Sequence, residues 1–244
     1  MKLAVQLYTV RDILGGDFKG VMTQISKLGY AGVEFAGFYG IPADEMKQLL
    51  RELHLEAVSS HTSLELLENH FDEITSYNKA IGNNNIVIPW TEMRTYEQYL
   101  SILVRLKKVC KKLAEMGFSV HYHNHAHEFA THEGKYLLDC LFTEMKCLGV
   151  ELDVHWAARA GVSPVDYIIQ YATRIKLLHM KDLIRQGDEV DYAPVGTGEL
   201  DFKGILKAAS THTEWLIVEN DAPRNGSMED ITISIRNLKK LLKL

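Results

Sequence analysis

The 244-residue sequence predicts an α/β fold, a closed (β/α)8 barrel forming a single domain, on three observations. Short β-branched or apolar runs alternate with amphipathic helical stretches from end to end, the pattern of a parallel sheet with crossover helices. Eight such pairs follow one another in strict order, which is the count of this barrel. The chain length agrees, since barrels of this kind run to about 250 residues as one unit. With 46% apolar and 24% charged residues, and no Ser/Gly/Pro-rich linker, the composition supplies one sizeable core.

The elements can be justified in order. The first strand is read at 3–9, LAVQLYT; its apolar run meets Arg11 and Asp12 too soon to be a signal peptide or a membrane span. A helix over 17–28 follows, stopped by Gly29, and a second strand lies at 31–36. Pro42 opens a helix over 42–54, the third strand is 55–61, and a helix spans 64–81. Strand four, 85–90, leads into a helix over 94–116 that Gly117 ends. Strand five is 118–124, with a helix over 135–146, and strand six is 149–155, with a helix over 164–172 opened by Pro164. Strand seven at 175–181, a helix over 201–211, strand eight at 215–220 and a helix over 228–243 complete the series.

Residues 184–201 form the one long irregular insertion, and loops of that length in compact domains usually carry function. Gly196 and Gly198 superficially suggest a phosphate loop there, but a turn leading to an Asp201 helix cap accounts for them. An open doubly wound sheet would need a Gly-rich turn after the first strand, and YTVRDILGG at 8–16 does not supply one.

A net charge of −5 with no Lys/Arg cluster argues against nucleic acid or an anionic membrane as a partner. The basic runs at 105–112 and 239–244 fall in helical patterns and read as solvated faces. Cys110, Cys140 and Cys147 are odd in number and widely spaced, which suits buried, reduced thiols in a cytoplasmic protein.

Polar side chains gather where strands end, the face on which such barrels build their sites. Strand two carries Glu34 and strand three His61. Strand five runs into SVHYHNHAHEF at 119–129, with His121, His123, His125, His127 and then Glu128. Strand six carries Asp153 and His155, strand seven His179 and Lys181, and strand eight Glu219. The period of two pairs Asp153 with His155, His179 with Lys181 and Glu219 with Asp221, and turns His121, His123 and His125 inward. His127 and His132 fall beyond the strand as loop residues. Converging carboxylates and imidazoles are costly unless neutralised, and one divalent cation (manganese, zinc, cobalt or magnesium) suits such a mixed set. Trp90 and Trp156 offer flat faces on which a ligand ring could stack, or else pack in the core.

YHNHAHEF at 122–129, ELDVHWAARAG at 151–161, LLHMKD at 177–182 and LIVENDAP at 216–223 resemble the xylose isomerase-like TIM-barrel superfamily. The likeness is to its sugar phosphate isomerase/epimerase branch, with inosose dehydratase-like and tagatose epimerase-like relatives, and VQLYTVRD at 5–12 and GYAGVEFAGFYG at 29–40 fit it too.

The resemblance implies a divalent metal held by two glutamates, an aspartate and a histidine. Motif by motif these are Asp153, His179, Glu219 and, as the fourth ligand, Glu128 of the YHNHxxEF variant, with His123 as the alternative. It implies an isomerase or epimerase working through an enediolate on a free sugar, keto-sugar or inositol-like ring. A keto-polyol dehydratase or lyase is the alternative, and a non-catalytic sugar-binding barrel or an endonuclease IV-like repair enzyme come after it. Strand four ends in IPW without a histidine, so a trinuclear zinc site of the last kind is incomplete even though His61 would match one ligand.

Proton transfer would fall to Glu219, Lys181 or His123, with Lys181 alternatively steadying an oxyanion or bridging to Asp153 or Asp182. Glu34, His61, His125, His155 and Trp90 are the candidate substrate contacts. Barrels of this kind often associate, so a homo-oligomer is compatible with the resemblance.

Overall fold

The strands that the period-two runs predict close on themselves. The structure is a computed structural model and describes residues 1–187, 189–209, 211–224 and 226–244. Strands β1 (Lys2–Gln6), β2 (Gly32–Phe35), β3 (Glu56–His61), β4 (Asn85–Ile88), β5 (Ser119–His123), β6 (Gly149–Asp153), β7 (Ile175–Met180) and β8 (Trp215–Val218) form one closed parallel barrel. Each pairs with its sequence neighbours, and β1 with β8, so the barrel has no open edge.

The principal helices are α1 (Phe18–Leu28), α2 (Ala43–Glu52), α3 (Phe71–Ala80), α4 (Tyr96–Glu115), α5 (Leu137–Glu144), α6 (Pro164–Gln170), α7 (Phe202–Ala209) and α8 (Ser227–Leu242). Their ends obey local chemistry. Asp17 accepts the Gly20 N–H ahead of α1, and Gly29 ends it at φ +89, a conformation only glycine adopts freely. Thr95 and Gln98 make a reciprocal capping box on α4, and Asp201 caps α7 through the Gly204 N–H.

Four readings are corrected. The 64–81 helix is two helices, Leu64–Asn69 and α3, broken at His70. The first strand stops at Gln6, whose side chain accepts the Tyr8 N–H and starts a 3-10 turn over Leu7–Val10. The sixth stops at Asp153, whose carboxylate caps a helix over Val154–Arg159 through the Trp156 N–H, so His155 does not share a strand face with Asp153. The irregular insertion contains an antiparallel hairpin, Asp182–Gln186 with Glu189–Ala193.

Around that hairpin the Asp182 carboxylate accepts four N–H bonds, from Leu183, Gly196, Gly198 and Leu200, at 2.8–3.1 Å. The glycine pair therefore wraps a side-chain carboxylate. All three cysteines are free, but only Cys110 is buried and Cys147 is exposed, against the expectation of buried thiols. No described helix is long and apolar enough to cross a membrane.

Inside the barrel, Ala4, Val58, Val87, Leu177, Trp215 and Ile217 pack as one apolar cluster. Two residues further along β1, β7 and β8 the inward positions turn polar: Gln6 follows Ala4, His179 follows Leu177 and Glu219 follows Ile217. The apolar plug thus sits below a polar layer at the C-terminal mouth.

Candidate active site

Register decides which polar residues meet. His123 lies opposite Glu151, Asp153 opposite His179, and Gln6 opposite Glu34. Lys181 and Glu219 are the first residues beyond β7 and β8. Asn124 ties the ends of β5 and β6 together by accepting the Asp153 N–H at 2.9 Å.

Two overlapping groups of donors result, the donor atoms of each lying within 4.8 Å of one another. The upper group is His123, Asp153, His179 and Glu219; the lower is His61, His123, Glu151 and His179. In the lower layer His61 Nε2 lies 2.7 Å from Glu151 and 3.2 Å from Glu34, while His179 Nε2 lies 2.6 Å from Glu34. In the upper layer His179 Nδ1 lies 3.1 Å from Glu219, and Lys181 Nζ lies 3.1, 2.7 and 2.8 Å from Asp153, Glu219 and Asp221.

Burial and charge set the protonation states. Burial alone would raise Glu34, but His61 and His179 outweigh it and hold the carboxyl well below its usual range. Glu151, buried and facing ionised Glu34, is pushed up to about 8. Burial opposes protonation of His61, yet Glu34 and Glu151 lift it to about 10. Lys181 would be lowered by burial, but Asp153, Glu219 and Asp221 raise it well above an ordinary lysine, so it is charged. Burial, with His179 and His61 beside it, holds His123 neutral.

The layer brings together His123, Asp153, His179, Glu219, Lys181, His61 and Glu34. Glu128 stands apart from both groups. Its Oε2 accepts the His125 N–H at 2.8 Å and its Oε1 the Tyr122 hydroxyl at 3.2 Å, so it pins the loop after β5. His121 sits in the layer beneath, 3.3 Å from Asn85 Oδ1. His155 is buried with Nδ1 on the Asp182 carbonyl oxygen and its ring stacked on Tyr192. His127 bonds the Thr91 carbonyl oxygen and His132 stacks on Tyr96.

Glu151, Gln6 and Ser59 were missed. Glu151 carried a usable signal, since it lies two residues before Asp153 on the same face of β6.

A cavity of about 540 Å³ opens above, lined by Tyr8, Leu66, Trp90, His61, His123 and His125, with Glu219 and Asp221 on the far wall. Buried His125 Nδ1 and Trp156 Nε1 have no hydrogen-bond partner, and neither does Asp153 Oδ2 despite its approach to Lys181. Metal–ligand bonds of about 2.0–2.2 Å put ligands on opposite sides of an ion roughly 4.2 Å apart. The upper group's spacing, its two imidazoles and two carboxylates, and the orphaned Asp153 oxygen therefore fit one divalent ion.

The rhizopine catabolism protein MocC of Rhizobium meliloti is 24% identical over 254 residues, covering 87% of this chain and 78% of that protein. A sugar phosphate isomerase/epimerase from Parabacteroides distasonis shares the fold at TM-score 0.82 and 21% identity, with 98% of this chain and 93% of that one covered. The probable 3-DHS dehydratase AsbF of Bacillus anthracis superposes at TM-score 0.81 and 14% identity, covering 98% and 99%. A D-allulose 3-epimerase from Methylomonas does so at TM-score 0.74 and 13% identity, covering 99% and 98%. The model of one family, the Xylose isomerase-like TIM barrel, matches residues 22–241, and the chain belongs to that family.

Proposed function

We propose that the protein is a divalent-metal-dependent isomerase or epimerase that moves a proton at the carbon beside a carbonyl, through an enediolate, on a free sugar, keto-sugar or inositol-like ring. The observation that carries this reading is the convergence of His123, Asp153, His179 and Glu219 at the floor of the cavity. When bound there, a divalent ion supplies Lewis acidity that lowers the cost of removing that proton.

Glu219 both reaches the cavity and joins the donor group, so it is the proton carrier of this reading. Lys181, held charged by three carboxylates and buried behind the cavity wall, serves it by holding Asp153 and Glu219 in place rather than by acting as a base. His125, whose pKa burial and Lys181 depress to about 3, offers a neutral ring with a free Nδ1 to a substrate hydroxyl. Trp90, 45% exposed on the cavity wall, gives an apolar face for the C–H side of a ring. Among the described residues no lysine or arginine lines the cavity while Glu219 and Asp221 do, which favours an uncharged substrate over a phosphorylated one.

The dehydratase reading shares every step up to the enediolate, and the likeness to AsbF keeps it as the second choice. A panel of keto-sugars and polyols incubated with the Mn2+-loaded protein in deuterated water separates the two. Isomerisation or epimerisation gives a product one deuterium heavier, and dehydration gives one lighter by a water. Glu219→Gln is expected to slow turnover about 100-fold or more. Neither exchange nor product with any member of the panel would remove the catalytic reading.

A further inference from the structure

The two donor groups share His123 and His179, yet one ion cannot fill both. Resting on the metal-dependent reading, we propose that the ion occupies the upper group and that Glu34 and Glu151 beneath it are positioning residues, which fix the tautomer and ring orientation of His179 and His123.

Each shared histidine turns one nitrogen to each layer. His179 Nε2 lies 2.6 Å from Glu34 and its Nδ1 3.1 Å from Glu219 and 3.9 Å from Asp153. His123 Nδ1 lies 3.2 Å from Glu151 and its Nε2 4.0 Å from Asp153. A neutral imidazole has one N–H and one lone pair, so each ring ligates upward or downward but not both.

Glu34 decides the direction. Gln6 has its amide oxygen on the Tyr8 N–H at 3.0 Å, which turns its NH2 group toward Glu34 Oε1 at 2.9 Å. Ser59 donates its hydroxyl to Glu34 Oε2 at 2.5 Å. With both oxygens already accepting, Glu34 is a carboxylate, and His179 Nε2 at 2.6 Å must carry the proton. Nδ1, now hydrogen-bonded to Glu219, is therefore the nitrogen that gives up its proton when an ion binds, and its lone pair then faces Glu219 and Asp153. An ion in the lower group would set an ionised oxygen against a nitrogen lone pair.

A second observation points the same way. Of the carboxylates in the two groups, Glu219 of the upper one opens onto the cavity, whereas Glu151 of the lower one and its neighbour Glu34 do not. Histidine ligands commonly donate their other N–H to a carboxylate, and loss of that partner weakens metal affinity about 10–100-fold.

The test titrates metal-stripped protein with Mn2+ and with Zn2+ by calorimetry, and reads the imidazole 1H–15N spectrum of the Zn2+-loaded form. Wild type is expected to bind one ion, with His179 protonated at Nε2. Glu34→Gln and Glu151→Gln are expected to keep that stoichiometry with affinity lowered about 10–100-fold, and Asp153→Asn and Glu219→Gln to abolish binding. Ser59→Ala, which leaves Glu34 in place, should weaken binding by a few-fold; it and the wild-type spectrum carry the test if a glutamate variant does not fold. Unchanged affinity in Glu34→Gln and Glu151→Gln, or a His179 Nδ1–H, overturns the positioning role while the metal reading stands. Binding that survives Asp153→Asn but not Glu151→Gln puts the ion in the lower group and also overturns it. A wild type that binds neither metal removes the metal reading and this inference together.

Discussion

Glu128, a candidate ligand in the sequence, is buried and hydrogen-bonded by neighbouring groups of the chain. With both carboxylate oxygens engaged by the His125 N–H and the Tyr122 hydroxyl, burial lifts its pKa from 4.5 to about 7. The folded state therefore binds this proton more tightly than the unfolded chain. The stabilisation is full below about pH 4.5 and is lost as pH rises through about 7. Glu128→Gln, which removes the titration but keeps an acceptor for the His125 N–H, is expected to melt relatively higher than wild type at pH 8 than at pH 5. Equal differences at the two pH values would show that Glu128 does not titrate in this window. His123, Asp153, His179 and Glu219 were legible because strand parity needs only local sequence. Glu151 was overlooked because that parity was extended forward to His155, where Asp153 had already capped a helix. Ser59 and Gln6 gave no signal, since their partner Glu34 lies on another strand and only register brings them to it.

At the scale of elements, the eight strands and eight principal helices follow from periodicity and caps, while the hairpin over Asp182–Ala193 does not. Its sequence interleaves charges with few apolar residues, so the strands lack the alternation that marks a half-buried sheet. What fixes the segment is the cradle on Asp182, a contact between its start and residues 196–200 that no local pattern encodes. Gly198 is essential to that cradle: a Cβ there would approach the Leu183 carbonyl oxygen and lie 2.6 Å from Asp182 Oδ1. Gly198→Ala should therefore cost about 1–3 kcal/mol in urea unfolding, as overpacking does. Because the hairpin carries Tyr192, stacked on His155 at 4.6 Å, the same variant should also loosen the packing around His155. Wild-type stability in Gly198→Ala would show that the loop can move aside at no cost.

Over the whole molecule, the apolar plug and the charged layer make opposite contributions to stability. Ala4, Val58, Val87, Leu177, Trp215 and Ile217 gain from losing water, whereas Glu34, Glu151, Asp153 and Glu219 are held close together with little of it. Lys181, His61 and His179 keep Glu34 and Glu219 ionised in spite of that burial. A cation that binds this layer binds the folded barrel, because the ligands come from β5 to β8 and are dispersed in the unfolded chain. At a free concentration of about 100 times Kd such binding adds about 2.7 kcal/mol. For a protein of this size that corresponds to a rise in melting temperature of about 5–10 °C. Mn2+ is expected to give that shift, EDTA to reverse it, and Asp153→Asn and His123→Ala to lose it. Glu128→Gln should keep it in full, because the Glu128 carboxylate is turned toward Tyr122 and the His125 N–H. The comparison of those last two variants decides the fourth ligand: a shift that survives His123→Ala and disappears in Glu128→Gln would mean that the loop after β5 rearranges to deliver Glu128 to the ion.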